Sequence, residues 1–437
     1  MRISVFGCGY LGAVHAACMA KLGHEVVGVD VLPEQVAALS RGEAPFFEPG
    51  LPELLTEAGA SGRLAFTTDA VAAAEATVHF ICVGTPQKPG ENAADMRFVN
   101  SAVDAVLPLL KAGDVVVGKS TVPVGTAEEI ARRIHDAQPE AELIWNPEFL
   151  REGFAVKDTL HPDRFVYGVA DTEQGRAATA TLDAVYADAL ADGTPRIIAD
   201  LATAQLVKVA ANSFLATKIS FINAMAELCE ATGADVTLLA DAIGHDVRIG
   251  RRFLNAGVGF GGGCLPKDIR AFMARAGELG VDQALSFLSE VDSINMRRRV
   301  RMVDLAREQC GGSIVGRTVA VLGAAFKPDS DDIRDSPALS VAAQMQLQGA
   351  KVTVTDPVAI HNARKKWPEL AYASTVKEAV QDADVVMVLT EWPEYVALDP
   401  EELAPLVRGK QIIDGRNCLE PATWRAAGWA YRALGRP

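Results

Sequence analysis

Cys264 closes the stretch Phe253-Leu-Asn-Ala-Gly-Val-Gly-Phe-Gly-Gly-Gly-Cys264, and Leu265, Pro266, Lys267 and Asp268 follow it. Four of the six residues before the cysteine are glycine, so the backbone can approach a ligand closely and the thiol is little shielded. Lys267 and Asp268 set a cation and a carboxylate beside the sulfur, and a nearby cation raises the thiolate fraction. The chain also opens with a dinucleotide-binding fingerprint, Gly7-Cys-Gly-Tyr-Leu-Gly12. A nicotinamide cofactor plus a nucleophilic cysteine implies an oxidation that passes through a covalent thioester and carries an alcohol or aldehyde to an acid.

A triple-glycine pattern alone is weak. Here it follows the strand Ile3–Phe6 directly, opens a helix near 11–22, and is followed by Glu25-Val-Val-Gly-Val-Asp30, a second strand ending in aspartate. That context makes the signal strong. Gly7 would allow the tight turn, Gly9 would admit the pyrophosphate, and Gly12 would let helix and strand pack closely. The pyrophosphate would rest on the helix N-terminus. Asp30 would accept hydrogen bonds from the ribose diol and repel a 2′-phosphate, and Val31, Leu32 and Pro33 offer no compensating cation. NAD is therefore expected over NADP.

Other candidates lie where strands end. Val83-Gly-Thr-Pro86 and Lys119-Ser-Thr-Val-Pro-Val-Gly125 each follow an apolar strand, where loops line the ligand crevice of a parallel sheet. Thr85 and Thr121 could contact the cofactor there; the plainer alternative is a pair of ordinary strand-ending turns. In Asn146-Pro-Glu-Phe-Leu-Arg-Glu-Gly153, Glu148 and Glu152 are four apart and would share a helical face. Either could act as general base, or both could form a solvated acidic turn. Lys208 and Asn212 are also four apart, on a helix otherwise rich in apolar residues, and together could hold a substrate oxygen with developing negative charge. The alternative is a surface lysine and a helix-interior asparagine. Arg248, Lys327, Arg334 and Arg416 sit in turn-like or strand-end settings that suit anion binding, though each alone reads more readily as a surface charge than as a ligand contact. The acidic run Asp329-Ser-Asp-Asp332 lacks EF-hand spacing and reads as a solvated loop.

The elements that must position these residues fall into three textures. Apolar strands at Thr77–Val83, Asp114–Gly118, Leu143–Asn146 and Arg164–Val169 alternate with helices, which implies a parallel sheet covered on both faces. Residues 201–232 contain no Gly or Pro, and Leu206, Val207, Ala210, Phe214, Ile219, Ile222, Met225 and Leu228 recur at roughly helical spacing. This predicts a long, mostly buried helix. A second helical run covers about 282–309. From Arg317 a weak repeat of the first texture appears: Thr318–Leu322 before Gly323, Lys351–Asp356 ending in aspartate, Asp384–Thr390 and Gln411–Asp414. Its turn, Gly323-Ala-Ala-Phe, lacks the triple glycine and should bind something other than a dinucleotide pyrophosphate. The fold class is α/β, with two Rossmann-like doubly wound parallel sheets joined by a central long-helix region.

Composition narrows the partners. The 437 residues are 49% hydrophobic and 22% charged, as in a globular protein, with a net charge of −14. That acidity argues against nucleic acid and anionic membrane as partners, and an anionic substrate must be captured by local arginines and lysines. The cysteine count is odd, at seven, with no CxxC pair, which indicates a reduced, cytoplasmic set rather than a disulfide framework. No HExxH pairing or Cys/His cluster suggests a metal. No signal peptide is expected, nor any apolar run of about 18 residues that could span a membrane.

Taken in order, the fingerprint, VGTP at 83–86, KSTVPVG at 119–125, NPEFLREG at 146–153, Lys208 with Asn212, FLNAGVGFGGGCLPKD at 253–268, AFKPDSDDIRDS at 325–336 and DGRN at 414–417 resemble the UDP-glucose/GDP-mannose dehydrogenase family. The resemblance runs through nearly the whole chain. It implies an NAD-binding Rossmann domain at 1–200, a central helical dimerisation region with the cysteine loop at 201–300, and a C-terminal sugar-nucleotide domain at 301–437. It implies a homodimer and two successive NAD-dependent oxidations of a sugar C6, from alcohol to uronic acid, with UDP-glucose favoured as substrate.

Residue by residue, the resemblance makes Cys264 the nucleophile of a thiohemiacetal and thioester. Lys208 and Asn212 would stabilise the oxyanion, Asp268 and Glu148 would serve water activation and proton transfer, and Thr121 would place a water. The cofactor would lie against Gly7, Gly9, Tyr10, Leu11, Gly12 and Asp30, against Val83, Gly84, Thr85, Pro86, Ser120 and Thr121, and near Glu152, Lys267 and Arg334. The substrate would meet Glu148, Phe149, Leu150, Arg151 and Glu152, then Lys208 and Asn212. Phe253, Leu254, Asn255, Gly257 and Gly261 would wrap its base and ribose. Phe326, Lys327 and Arg416 would hold it in the second sheet, and Arg248 would reach the partner subunit's substrate. One departure is visible: many members have Ser-Cys-Phe at the nucleophile, whereas this chain has Gly263-Cys264-Leu265, and Leu there also occurs in the GDP-mannose branch. GDP-mannose or another UDP-sugar is the alternative substrate. A remoter alternative is a two-electron 3-hydroxyacid dehydrogenase, which also pairs a Rossmann domain with a Lys and Asn four apart but needs neither the cysteine nor a second sheet.

Overall fold

The computed structural model describes residues 1–437. The chain divides into two compact units, residues 1–211 with 270–280, and residues 212–269 with 281–437. The first unit carries an eight-stranded sheet: β1 (Arg2–Phe6), β2 (Glu25–Val29), β3 (Leu64–Thr67), β4 (Val78–Ile81), β5 (Val115–Gly118), β6 (Glu142–Trp145), β7 (Phe165–Gly168) and β8 (Arg196–Ala199). The strand order is β3-β2-β1-β4-β5-β6-β7-β8. The order reverses between β1 and β4, which is where open α/β sheets bind ligands. The inner strands β4, β5 and β7 are short apolar runs buried on both faces, while the edge strands β3 and β8 are partly exposed. Val78, Phe80 and Cys82 pack into one core layer and Ile81 into the other.

The second unit carries a six-stranded parallel sheet: β9 (Thr318–Leu322), β10 (Lys351–Thr355), β11 (Ala371–Tyr372), β12 (Val385–Val388), β13 (Gln411–Asp414) and β14 (Ala430–Ala433). Its order, β11-β10-β9-β12-β13-β14, reverses at the equivalent place. The two-sheet expectation stands. The sequence reading missed β3, β8, β11 and β14 and overran several strand ends. It also missed that β6 and β7 meet antiparallel, at Trp145 and Gly168.

The helix over residues 201–232 is present as Leu201–Thr232. The expectation that its large apolar side chains are buried is corrected in part. Leu206, Phe214, Phe221 and Leu228 are exposed, while Ala204, Gln205, Lys208, Asn212, Ala216, Ser220, Asn223 and Ala226 are buried. The buried face is small and polar because this chain packs backbone and site residues there. Leu206, Phe214, Phe221 and Leu228 occupy the opposite face, while Ile222 is buried as expected.

Candidate functional site

In the first unit the fingerprint turn has the geometry its residue types require. Gly7 adopts φ +86°, and a Cβ on Gly12 would stand 1.7 Å from the Gly7 carbonyl oxygen, so only glycine permits this approach of helix to turn. A Cβ on Gly9 would meet nothing within 4 Å, which leaves open space at the start of the helix Tyr10–Lys21. This cradle fits a pyrophosphate on a helix N-terminus. Asp30 Oδ2 accepts the Cys8 N–H at 2.7 Å and Oδ1 the Leu32 N–H at 3.0 Å, which pins the carboxylate at the end of β2 with lone pairs to spare.

The second unit repeats this device with a different outcome. Asp356, at the end of β10, accepts from Ala324 N at 2.7 Å, Ala325 N at 3.0 Å and Trp392 Nε1 at 3.2 Å through one oxygen. Its other oxygen takes Val358 N and Ala359 N. Asp356 is buried and its acceptor capacity is consumed inside the protein, so it has no role left for a ribose.

The loops after β4 and β5 are tied together. Thr85 Oγ1 donates to the Thr121 carbonyl at 2.7 Å, and Ser120 Oγ to the Val83 carbonyl at 2.7 Å. Gly84 and Pro86 lie exposed beside them. Lys119, just before Ser120, is buried: its Nζ donates to Asn146 Oδ1 at 3.0 Å and stands 3.4 Å from the Tyr186 hydroxyl. Burial pushes this ammonium down to about 8. Sequence reasoning passed over Lys119 and Asn146 although both lay inside quoted motifs. Their contact joins the ends of β5 and β6, so the loops bearing Thr121 and Glu148 share one buried anchor.

Glu148 and Lys208 form an ion pair, Oε1 to Nζ 2.9 Å, with side chains 13% and 6% exposed. The other Glu148 oxygen accepts the Leu150 N–H at 2.8 Å. Phe149 is covered by the Arg164 guanidinium, 3.8 Å from its ring centre, an arginine that was not anticipated. Leu150 leans on the sheet's core. Arg151, proposed for substrate, is exposed and held by Asp158 at 2.6 and 2.9 Å. Glu152 is buried. Glu148 and Glu152 lie in an irregular loop, not in the helical turn expected for them, because Pro147 and Gly153 bracket the segment.

In the second unit Cys264 is exposed and immediately precedes the helix Leu265–Glu278. Its carbonyl accepts the Asp268 N–H at 2.9 Å. Asp268 is buried, with Asn212 Nδ2 on one oxygen at 2.7 Å and Lys267 Nζ on the other at 2.6 Å. The glycine run before Cys264 is threaded through close contacts. Gly262 has φ +83° with the Phe326 ring 2.8 Å from where a Cβ would be, and at Gly263 that position lies 2.1 Å from Arg334 Cζ. The Arg334 guanidinium thus lies close against the backbone beside Cys264. Arg334 also forks onto Asp332 at 2.7 to 3.0 Å.

Arg416 is tied into the protein by part of its guanidinium. Its guanidinium donates to the carbonyls of Leu389 at 2.8 Å, Gly259 at 3.0 Å and Phe326 at 3.0 Å, and lies 3.2 Å from Glu391. It holds the glycine run against β12 and the Phe326 loop. Asn223 accepts the Gly257 N–H and Asn295 brackets Phe260, two supports the sequence did not mark. Gly261 lies against the Asp335 carbonyl. Lys327 lies over the Phe326 ring, and Asn255 takes a bond from Arg251. Leu254 is buried. Phe253 is exposed with a left-handed φ of 65°, a conformation costly for a bulky residue and common at ligand clamps. Arg248 is exposed and paired with Asp246.

Three family models match in chain order: the NAD binding domain of the UDP-glucose/GDP-mannose dehydrogenase family at residues 1–190, its central domain at 202–297 and its UDP binding domain at 320–421. This chain belongs to the UDP-glucose/GDP-mannose dehydrogenase family. It is an NAD-dependent oxidoreductase of that family. It is 42% identical to the UDP-glucose 6-dehydrogenase of Rhizobium meliloti, with all of both chains covered. It is 40% identical to UDP-glucose 6-dehydrogenase TuaD of Bacillus subtilis, covering all of this chain and 93% of the other. Among solved structures, a UDP-glucose dehydrogenase from Pyrobaculum islandicum superposes with a TM-score of 0.89 at 38% identity, covering 100% of this chain and 98% of that one.

Proposed function

We propose that this chain oxidises C6 of UDP-glucose to UDP-glucuronate in two successive two-electron steps, through a thiohemiacetal and then a thioester on Cys264. The observation that carries the reading is the exposed Cys264 at the start of a helix with the buried carboxylate of Asp268 one turn on, held by Asn212 and Lys267. NAD, when bound against the Gly9 cradle and Asp30, supplies the hydride acceptor for both oxidations. The Cys264 thiolate adds to the C6 aldehyde, Lys208 and Asn212 meet the charge on the oxygen, and the second oxidation leaves the acyl group on sulfur. Water, activated by Asp268 or Glu148 and placed by Thr121, then releases the carboxylate and returns the thiol.

The three functional segments expected at 1–200, 201–300 and 301–437 fit this division of labour. Phe214, Phe221 and Leu228 recur every seven residues on the helix Leu201–Thr232 and are 66%, 49% and 58% exposed. Such a stripe supports a homodimer in which a second copy covers it. The cysteines other than Cys264 are buried or half-buried thiols, which suits a reducing, cytoplasmic setting. No helix is long and apolar enough to cross a membrane.

The test is a panel of nucleotide sugars, including UDP-glucose and GDP-mannose, followed by NADH absorbance. Two NADH per UDP-glucose consumed is the expected stoichiometry. One NADH per substrate would point to a simple two-electron dehydrogenase, and turnover of GDP-mannose alone would replace the substrate.

A further inference from the structure

Glu48 lies in the loop Phe46-Phe47-Glu48-Pro49-Gly50, yet it is only 3% exposed. A buried carboxylate is costly unless donors surround it. Here they are backbone and phenol rather than a lysine or arginine. Oε2 accepts the Gly153 N–H at 2.7 Å and Oε1 the Ala155 N–H at 2.7 Å. The Tyr10 hydroxyl makes a close hydrogen bond to Oε2 and itself accepts from Gly153 N at 3.1 Å. The Tyr10 ring packs on Phe46 at 4.8 Å between centres.

The two things Glu48 holds have different roles. Tyr10 is the first residue of the helix that follows Gly9, on the cofactor side. Gly153 ends the segment that carries Glu148 and Glu152, on the substrate side. These positions are 143 residues apart in sequence, and one carboxylate touches both. Burial and the adjacent Glu48 raise the Tyr10 hydroxyl well above its ordinary range, so the phenol remains a donor to this carboxylate.

We propose that Glu48 is a positioning residue that couples the cofactor turn to the substrate segment. By clamping Tyr10 and the Gly153–Ala155 backbone into one arrangement, it makes occupancy of one side favour the ligand-ready form of the other. This rests on the reading that residues 148–152 face the nucleotide sugar. Coupling of this kind is reciprocal.

NADH and UDP-glucose form a non-reacting pair, so coupling can be measured directly on the full chain by NADH fluorescence titration with and without UDP-glucose. UDP-glucose should tighten NADH binding about fivefold or more in the wild type. In Glu48→Gln and in Tyr10→Phe that factor should fall to roughly 1, with the double variant no lower. Glu48→Asp, which keeps the charge, should recover part of it. Tyr10→Phe should raise KM for UDP-glucose more than it changes the Kd of NADH alone, a split that general destabilisation does not produce. A wild-type factor of 1, or an unchanged factor in folded Tyr10→Phe, overturns the proposal, and Tyr10→Phe decides the matter should Glu48→Gln fail to fold. If UDP-glucose is neither bound nor turned over by the wild type, the substrate reading fails instead.

Discussion

Lys208 Nζ lies 2.9 Å from Glu148 Oε1, joining two groups first considered for separate roles, an oxyanion donor and a base. Asn212, one turn further along the same helix, contacts Asp268 at 2.7 Å. Each proposed donor is thus matched to a proposed carboxylate, which fixes both side chains before a substrate arrives. Lys208→Ala should lower kcat by about 10²–10³, as loss of an oxyanion donor does. It should also destabilise the fold, by roughly 3–5 kcal/mol if the pair behaves as buried pairs generally do. The double variant Lys208→Ala, Glu148→Gln should regain part of that stability in urea denaturation, because it leaves no buried charge without its nearest partner. Equal stability of the single and double variants would show that the pair is not energetically coupled.

Cys264→Ser should abolish net conversion to the acid. An alkoxide is far harder to form at neutral pH than a thiolate, and an ester is a poorer acyl donor to water. Product analysis after prolonged incubation with UDP-glucose decides this, and normal steady-state uronate formation by the serine variant would exclude the covalent route.

NAD should be preferred over NADP by at least roughly tenfold in kcat/KM if the Asp30 carboxylate takes the ribose diol as proposed. Asp30→Ala should narrow the preference and raise KM for NAD as well, since Asp30 also holds the Cys8 N–H of the fingerprint turn at 2.7 Å. Equal use of both cofactors by the wild type would refute this assignment.

Lys119 predicts a pH effect on stability. Burial lowers its ammonium from 10.5 to about 8 in the folded chain. Below about pH 8 the folded and unfolded chains both carry the proton, and the buried charge opposes folding by on the order of 3 kcal/mol. Between about 8 and 10.5 the unfolded chain binds more protons than the folded one, so this penalty shrinks as pH rises. The other groups around Lys119 are Cys82, Glu148, Lys208, His15 and Tyr186. Urea midpoints of wild type and Lys119→Met, compared at pH 7.5 and 9.5, isolate the contribution of this lysine. The wild type should gain relative to the variant at the higher pH, and parallel behaviour would mean that Lys119 does not titrate in this range.

Arg416→Ala should raise KM for the nucleotide sugar more than it lowers kcat. It should also reduce Tm, because three carbonyls lose a charged donor that bridges Gly259, Phe326 and Leu389. A change in kcat alone, with KM and Tm intact, would contradict the view of Arg416 as the brace of the glycine run.

The sequence by itself determined the two sheets, the fingerprint turn, the glycine-rich Cys264 loop and the long helix. Each is written in short-range terms: strand, turn and helix within about 30 residues, glycines where the backbone is crowded, and apolar residues at helical spacing. It did not determine which side of the Leu201–Thr232 helix is buried, since apolar residues ring much of that helix and the buried face is chosen by what packs against it. Nor did it show that Arg416 braces three carbonyls or that Asp356 is satisfied internally while Asp30 keeps capacity. The contacts that only tertiary structure decided are long-range: Asn212 with Asp268 across 56 positions, Gly153 with Glu48 across 105. A carboxylate such as Glu48 carries no local signature, because its role depends on which distant N–H groups folding leaves without an acceptor, and a buried N–H must find one.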